Sequence, residues 1–549
     1  MTTPTETLPP VPVLVIGAGM AGGAISCTLA EAGVPVVCLE QGRWVPGGSR
    51  PHADRYYELE RQYAWSTSPN TRGWAEDYPI GTDAVQPLMF NEVGGSTAIY
   101  TAAWPRFRPT DFVKKDEHGR SENWPYSYDD LSPFYAENDR SMGVSGLDGD
   151  PAFPAHDPYP NPPLPIGRRG EAFARGCEQL GWHWWPFPMA VNSREYRGRA
   201  ACNACGDCQS GCSIDALAGS HNTYWPRALA AGVELRTGSR VVRIESDDTG
   251  RVTGATYVSA ETGARYFQPA DRVILCANGI GTPRLLLASA SDSHPQGLAN
   301  SSDLVGRNLM FHGLAIVEGW TDEMLDPHKG VICAAAYSAE YAETDVERGF
   351  INGFTLLCSG MNGPGFQANG SHSGNVAPWG ADHHQWMDQH LNRGMAVLVQ
   401  TEDLPSPTNR VTLDPDLVDA DGVPAPFIHY RLDDNDERLL EYACARAVDI
   451  LEAAGAREVK VNRFRGAGGD YMPPAWHLMG TAPLGDDPAT SVIDPDHQAW
   501  DAPGLYICDG SSMPTGGAVN PTSTIGAMAL RCATRILEHL GKETPAWVR

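Results

Sequence analysis

The sequence predicts an α/β fold with two parts: a parallel sheet that begins near residue 11 and a second domain on a mixed or antiparallel sheet. Two short apolar runs that flank a helix-like stretch close to the N-terminus predict the first part. Residues 311–465 predict the second, because strand-like runs such as AVLVQTED and RVTLD alternate there with turns. The chain has 549 residues, enough for two or more domains and a large buried core.

The N-terminal segment has the pattern of a β-α-β unit. Residues 11–16 are apolar, residues 17–22 read Gly-Ala-Gly-Met-Ala-Gly, and a helical stretch extends to about Ala32. A second apolar run, residues 34–39, ends at Glu40. Because neither run alternates with polar residues, both strands are expected to be buried on both faces, as in a parallel sheet.

The middle of the chain alternates between irregular and regular segments. Residues 43–93 and 104–170 are rich in Gly, Pro and aromatic residues and lack periodicity, which indicates long surface or capping loops. Between residues 170 and 276 we expect one amphipathic helix and then three strands, at 170–181, 233–244, 252–258 and 272–276.

Helices and one strand are expected in the remainder. A helix is predicted to begin near Pro283, because proline fits the first turn of a helix. Residues 436–455 predict a long helix at the end of the second domain. The last segment contains a predicted strand at 504–510 and a terminal helix at 524–541.

Composition and charge exclude several classes of protein. The formal net charge of −26 disfavours nucleic acids and anionic membrane surfaces as partners, because both require basic patches. No run of about 18 apolar residues is present, so no transmembrane helix is expected. The N-terminus has neither a basic region nor a cleavage site of a signal peptide, and several of the 13 cysteines lie in apolar runs. These features predict a cytoplasmic protein with reduced thiols.

The glycine-rich turn predicts a dinucleotide site of the Rossmann type. The pattern G-x-G-x-x-G permits a tight turn and a close approach of the backbone to a pyrophosphate, which the N-terminus of the following helix attracts. Glu40 ends the second strand about 20 residues later, where it can accept hydrogen bonds from ribose hydroxyls. The turn does not distinguish FAD from NAD, since both contain an adenosine ribose.

Motifs along nearly the whole chain resemble the glucose–methanol–choline (GMC) oxidoreductase family, which binds FAD. They are, in chain order, GAGMAGG (17–23), GGST (94–97), VILCANGIGTPRLLLAS (273–289), HLMGT (477–481), LYICDGS (505–511) and NPTSTIGAMALR (520–531). The resemblance implies a discontinuous FAD-binding domain into which an α+β substrate-binding domain is inserted.

The implied domain boundaries divide the chain into five segments. The FAD-binding domain takes residues 1–110, 201–310 and 466–549. A loop-rich cap takes 111–200, and the substrate-binding domain takes 311–465.

The resemblance also implies which residues contact the cofactor. Some would bind the adenosine diphosphate, and others would lie beside the pyrophosphate, the ribityl chain or the isoalloxazine ring. These expected contacts are Gly17, Gly19, Met20, Ala21, Gly22, Glu40, Gln41, Gly95, Ser96, Val241, Ala277, Asp509, Gly510, Asn520, Pro521 and Thr522. The residues after the GGST motif, Ala98 to Thr101, include no histidine through which the flavin could be attached. Noncovalent FAD is therefore expected.

Alcohol oxidation requires a base beside the flavin, and histidine has a suitable pKa. His477 in HLMGT matches the family's catalytic histidine, and Asn520 matches its partner. Asn cannot titrate, but it can hydrogen-bond the substrate oxygen. We expect three further histidines, His221, His312 and His497, to be structural or surface residues.

Four cysteines in ACNACGDCQSGC are spaced C-x2-C-x2-C-x3-C: Cys202, Cys205, Cys208 and Cys212. This spacing is close to that of a ferredoxin-type iron–sulfur ligand set. We expect a structural thiol-rich turn, and an iron–sulfur cluster or another metal ion remains the alternative.

The sequence therefore predicts an FAD-dependent enzyme that oxidises an alcohol, on a sugar, polyol or glycoside, with O2, a quinone or a protein as acceptor. One alternative is an iron–sulfur flavoprotein subunit that passes electrons to a partner. Another is a flavin-binding lyase without redox chemistry.

Overall fold

A computed structural model describes residues 6–44, 78–83, 85, 87–206, 208, 211–361, 363–368, 377–464 and 475–548. Within these ranges no helix is both long and apolar enough to span a bilayer. Parts of the predicted loop at 43–93 lie outside the described residues.

Seventeen strands are present in the described part of the chain. They are β1 Glu6–Thr7, β2 Val11–Ile16, β3 Val36–Leu39, β4 Gly81–Thr82, β5 Trp185–Pro186, β6 Glu234–Arg236, β7 Ser239–Ser246, β8 Val252–Ser259, β9 Arg265–Leu275, β10 Gly313–Trp320, β11 Ala336–Ser338, β12 Phe354–Ser359, β13 Gly394–Thr401, β14 Arg410–Val418, β15 Pro424–His429, β16 Glu458–Asn462 and β17 Leu505–Ile507.

Ten α-helices accompany them in the same ranges. They are α1 Met20–Glu31, α2 Lys114–His118, α3 Tyr128–Met142, α4 Gly167–Leu180, α5 Tyr224–Ala230, α6 Asn278–Ala288, α7 Pro364–Ala368, α8 Ala381–His390, α9 Asp434–Ala453 and α10 Thr522–His539.

The first sheet has a parallel half and an antiparallel half that share the long strand β9. Strands β6, β3, β2, β9 and β17 lie side by side and parallel, as the apolar runs at 11–16 and 34–39 predict. The first half of β9 instead pairs antiparallel with β8, which pairs antiparallel with β7. Val13, Leu14 and Val15 of β2 are fully buried, because helices and neighbouring strands cover both faces.

The second sheet is antiparallel and has the order β16-β10-β13-β12-β11-β5. Helices α4 and α9 pack together against it, and α9 turns Leu439, Leu440 and Ala443 toward the sheet core. Its outer strand β5 comes from the Trp-rich segment at 181–188, where Trp182 packs edge-on against Tyr341 at 5.1 Å between ring centroids. This segment therefore packs against the edge of the sheet.

Several predicted elements differ from the observed ones. The segment 104–170, predicted to consist of long loops, contains α2, α3 and the start of α4. The run RVTLD lies in β14, which belongs to a separate three-stranded sheet of order β14-β15-β4. The strand expected at 233–244 divides into β6 and β7, because Gly238 adopts a positive φ of 61° and turns the chain. The helix expected to begin near Pro283 begins at Asn278, with Pro283 inside it. Pro283 has no N–H to donate to the carbonyl of Gly279, and the hydroxyl of Thr481 donates to that oxygen at 2.8 Å instead.

A buried ion pair joins helix α3 to the loop before it. Asp139 accepts a hydrogen bond from Arg106 at 2.6 Å and one from the Trp104 indole N–H at 2.9 Å. All three side chains are almost completely buried. Removing one partner of such a pair leaves an uncompensated charge in a medium of low polarity.

We predict that Asp139→Asn lowers the free energy of unfolding by about 3–5 kcal/mol, because Arg106 then has no buried anion. The matched control is Glu122→Gln, which removes the anion from the exposed pair with Lys115 and should cost less than about 1 kcal/mol. Urea unfolding of both variants measures the difference. Equal shifts of the two midpoints would contradict this prediction.

Candidate active site

The glycine-rich turn follows β2 and packs tightly against its surroundings at two of its three glycines. Gly17 has φ +100°, and a Cβ there would lie 2.4 Å from the carbonyl oxygen of Cys276. A Cβ on Gly22 would lie 1.9 Å from the carbonyl oxygen of Gly17, so only glycine lets α1 approach the strand this closely. A Cβ on Gly19 would meet no atom within 4 Å. The side of the turn at Gly19 is therefore open to a ligand.

The N-terminus of α1 is available for an anion. No side chain caps the helix, and no acidic residue lies in its first turn. Its first N–H groups and the positive end of the helix dipole therefore favour a negatively charged group such as a pyrophosphate.

Glu40 lies at the end of β3, beside this turn. Its two carboxylate oxygens accept the N–H groups of Ala18 at 2.8 Å and of Gly42 at 2.7 Å. Burial raises the pKa of Glu40, and the N–H donors oppose that shift. The carboxylate is thus fixed in position at the wall of the cleft.

A single open cleft collects the expected cofactor contacts. All of them line it except Gly22, which lies beneath the turn, and Asn520, which lies against His477. The lining contacts are Gly17, Gly19, Met20, Ala21, Glu40, Gln41, Gly95, Ser96, Val241, Ala277, Asp509, Gly510, Pro521 and Thr522. An open turn, an uncapped helix N-terminus and a strand-end carboxylate in one cleft fit a dinucleotide.

Asp509 fixes the part of the cleft contributed by the C-terminal segment. It follows β17, and its carboxylate accepts the Asn278 N–H at 3.0 Å and the Thr282 hydroxyl at 2.7 Å. It also accepts the N–H of Ser511 at 2.7 Å. Burial raises the pKa of Asp509, while these donors oppose that shift. The start of α6 and the turn at Gly510 are therefore held together.

The turn between β14 and β15 forms another wall of the cleft. Asp419 accepts a hydrogen bond from Arg284 of α6 at 2.7 Å and lies 4.0 Å from Arg240 of β7. Asp419, Arg284, Arg240 and Val423 all line the cleft. No sequence motif indicated this wall, because its ion pairs join residues more than 130 positions apart.

The predicted catalytic pair is in contact. Asn520 Nδ2 lies 3.1 Å from His477 Nε2, and both side chains are at least nine-tenths buried. Burial, together with the neighbouring His312, lowers the pKa of His477 well below its ordinary value. His477 is therefore neutral near pH 7 and can accept a proton at the cleft wall.

His312, expected to be a structural or surface residue, is fully buried and contacts His477. The two Nδ1 atoms lie 2.7 Å apart. His312 Nε2 lies 2.7 Å from the carbonyl oxygen of Gly517. His312 has φ +69°, and Asp403 accepts its backbone N–H and that of Phe311, each at 2.9 Å.

A buried charge cluster lies behind this histidine pair. Lys114 Nζ is 3.1 Å from Glu402 and 3.6 Å from Asp111. Glu402 also accepts the N–H of Gly517 at 3.2 Å. Burial raises the pKa of Glu402 to about 7, against the effect of Lys114. No sequence motif indicated this cluster, because its members come from three distant segments.

The other two histidines are buried as well. His497 Nδ1 lies 3.0 Å from the carbonyl oxygen of Ile507, and burial lowers its pKa to about 3. His221 packs against Gly94 and Gly219 of the adjoining turns. Neither lines the cleft.

The cysteine-rich loop forms no ligand group in the described residues. Cys202, Cys208 and Cys212 are half-buried, and burial raises the pKa of the Cys202 and Cys208 thiols. Residues 207, 209 and 210 of this loop lie outside the described residues, and among the described residues no three His, Cys, Asp or Glu side chains are placed to hold a metal ion. The described part of the loop gives the iron–sulfur alternative no support.

Known proteins resemble this chain over almost its full length. A relative 44% identical over 528 residues is 2-methyl-1,2-propanediol dehydrogenase of Mycolicibacterium austroafricanum, with 95% of this chain and 94% of the relative covered. The fructose dehydrogenase large subunit of Gluconobacter japonicus is 29% identical, with 96% and 98% covered. A solved structure of formate oxidase from Aspergillus oryzae has a TM-score of 0.64 at 17% identity, with 98% and 99% covered, which shows the same fold.

Family profiles described as GMC oxidoreductase match residues 14–314 and 405–529. The matched ranges contain the glycine-rich turn, Glu40, His477 and Asn520. The fold class and the resemblance predicted from the sequence are thus confirmed, and the chain belongs to the GMC oxidoreductase family.

Proposed function

We propose that this protein is an FAD-dependent oxidoreductase that oxidises an alcohol group of a small polar molecule to a carbonyl. The observation that carries the proposal is the position of His477, a neutral base paired with Asn520 on the wall of a dinucleotide cleft. A protein that only bound a dinucleotide would have no need of such a base.

FAD is the dinucleotide we assign to the cleft, in agreement with the family and with the formate oxidase structure, which concerns a modification of FAD. The open turn and uncapped helix α1 would hold its pyrophosphate, and Glu40 its ribose. The 98–101 segment has no histidine, so we propose that the FAD is bound noncovalently.

The chain's own residues would handle the hydroxyl proton. FAD, when bound, accepts a hydride from the carbinol carbon. His477 would take the hydroxyl proton on Nε2, the ring nitrogen that does not contact His312. Asn520 would hydrogen-bond the substrate oxygen and hold it near that atom. The alcohol thereby loses one proton and one hydride and becomes a carbonyl.

For the substrate class we propose a vicinal diol, polyol or sugar. The relatives 2-methyl-1,2-propanediol dehydrogenase and fructose dehydrogenase are named for substrates with neighbouring hydroxyl groups. His477 on the cleft wall, with Asn520 against it, suits such a substrate. The relative at 44% identity makes short 1,2-diols the first candidates.

A methyl group added at Gly19 and one added at Gly22 should have different effects on FAD affinity and on the stability of the fold. We predict that Gly19→Ala lowers FAD affinity by about tenfold or more, near 1.4 kcal/mol, because its methyl group enters the space of the pyrophosphate. The fold should keep its stability, since that methyl group meets no protein atom within 4 Å. Gly22→Ala should lower both stability and FAD content. FAD titration and thermal unfolding of the deflavinated proteins measure these effects, and unchanged affinity in Gly19→Ala would contradict the placement.

We predict that 2-methyl-1,2-propanediol, another 1,2-diol or fructose bleaches the flavin anaerobically in the native protein. His477→Ala should slow this bleaching by about 10²- to 10⁴-fold, because the remaining partner, Asn520, cannot accept the hydroxyl proton. Its flavin spectrum should show that FAD remains bound. Bleaching at the native rate would remove His477 from the mechanism. Cleavage of a cyanohydrin without bleaching by any alcohol would instead indicate a lyase.

The low pKa of His477 predicts a pH dependence with an acid limb only. The neutral imidazole is the active form, so protonation inactivates it. Because burial lowers the pKa of His477 well below about 6.5, the rate constant of flavin reduction should be level from neutral to mildly alkaline pH. This rate constant should fall about tenfold per pH unit once the pH is below the pKa of His477. A rate that rises steeply between pH 7 and 8 in stopped-flow measurements would contradict this.

A further inference from the structure

The hydrogen-bond partners of His312 determine where its proton lies. Its Nε2 faces two carbonyl oxygens, Gly517 O at 2.7 Å and Gly516 O at 3.2 Å. A carbonyl oxygen only accepts hydrogen bonds, so Nε2 carries the proton. His312 is fully buried, and burial lowers its pKa below the ordinary value. The ring is therefore neutral, and its Nδ1 has a lone pair.

The proton position on His477 follows from that of His312. The two Nδ1 atoms are 2.7 Å apart, a distance that requires one hydrogen atom between them. Since His312 Nδ1 accepts, His477 Nδ1 donates. The neutral His477 ring then has its lone pair on Nε2, where the Asn520 amide N–H lies at 3.1 Å. The two contacts of His477 thus require the same tautomer.

The backbone conformation that places His312 for this contact is energetically unfavourable. A φ of +69° is unfavourable for a residue with a Cβ. Asp403 offsets it by accepting the N–H groups of both Phe311 and His312, and the Tyr430 hydroxyl donates to the same carboxylate at 2.6 Å. Asp403 therefore fixes the backbone conformation that presents His312 to His477.

We propose that His312 is a positioning residue that holds His477 in the tautomer with the proton on Nδ1 and the reactive lone pair on Nε2. The proposal rests on the proposed role of His477 as the base. When His477 takes the substrate proton on Nε2, its Nδ1–H keeps its hydrogen bond to His312. An isolated imidazole would divide between two tautomers and would need to be reoriented before each turnover.

Three substitutions distinguish a role of His312 in positioning His477 from a role in packing alone. His312→Leu removes the acceptor for His477. His312→Asn keeps one, because its amide oxygen can take the place of Nδ1, and Asn tolerates positive φ. His497→Leu is the matched control, since His497 is equally buried and has φ +68°, but its ring contacts the backbone carbonyl of Ile507 and not His477.

We expect His312→Leu to slow anaerobic flavin reduction by 2-methyl-1,2-propanediol about 10- to 100-fold with FAD still bound. His312→Asn should recover most of that loss, and His497→Leu should reduce its flavin at the native rate. A native rate in His312→Leu, or equal losses in all three variants, would overturn the proposal.

A second measurement does not depend on turnover. Long-range ¹H–¹⁵N spectra of the native holoenzyme with ¹⁵N-labelled histidine, assigned by the loss of signals in His477→Gln, report which nitrogen of His477 carries the proton. We expect Nδ1–H in the native protein and a shift toward Nε2–H in His312→Leu. Nε2–H in the native protein would refute the proposal even if no alcohol reduces the flavin. Nδ1–H without flavin reduction would instead refute the proposed oxidation alone.

Discussion

The parallel pairing of β2 with β3 and β9 is the constraint on which the rest of the site depends. Ile16 pairs with Leu39 and Leu275, and Leu275 pairs with Ile507 of β17. Four strands therefore end at one level, and the residues that follow them meet at a single edge. Because those residues include the glycine turn, Glu40, Ala277 and Asp509, segments almost 500 positions apart in the sequence form one cleft. This is the carboxyl edge at which parallel sheets bind ligands.

The second sheet contributes to the proposed chemistry, because its strands hold His312 against His477. His312 directly precedes β10 and Asp403 lies just beyond the end of β13, and these strands pair antiparallel with Gly313 opposite Thr401. The pairing brings Asp403 to the backbone of His312. His477 comes from the C-terminal segment, so the His312–His477 contact joins the two parts of the protein. Any relative movement of the sheets would act directly on the proposed base.

Local patterns were sufficient to predict the beginning of the first sheet, and they supplied the residues that we propose for the site. The run at 11–16, the glycine turn and Glu40 follow from residue types at short spacing, and His477 and Asn520 from a resemblance in short motifs. The earlier start of α6 depends on contacts with distant residues, such as that of Thr481 with Gly279. The His312–His477 contact joins residues 165 positions apart, and no periodicity in the sequence encodes it.

Burial has two opposing effects on the action of His477 as a base. A desolvated His477 is neutral at rest, which frees its lone pair, but the same desolvation disfavours the imidazolium formed when it takes a proton. Burial lowers the pKa of His312, and the nearby negative charge of Asp403 opposes that shift, so it offsets part of this cost for the histidine pair. The positive charge must otherwise be balanced by charge that develops on the substrate side as the hydroxyl proton leaves. At neutral pH a base held this way would be unprotonated at rest, and it would take up the hydroxyl proton as negative charge develops on the substrate oxygen beside it.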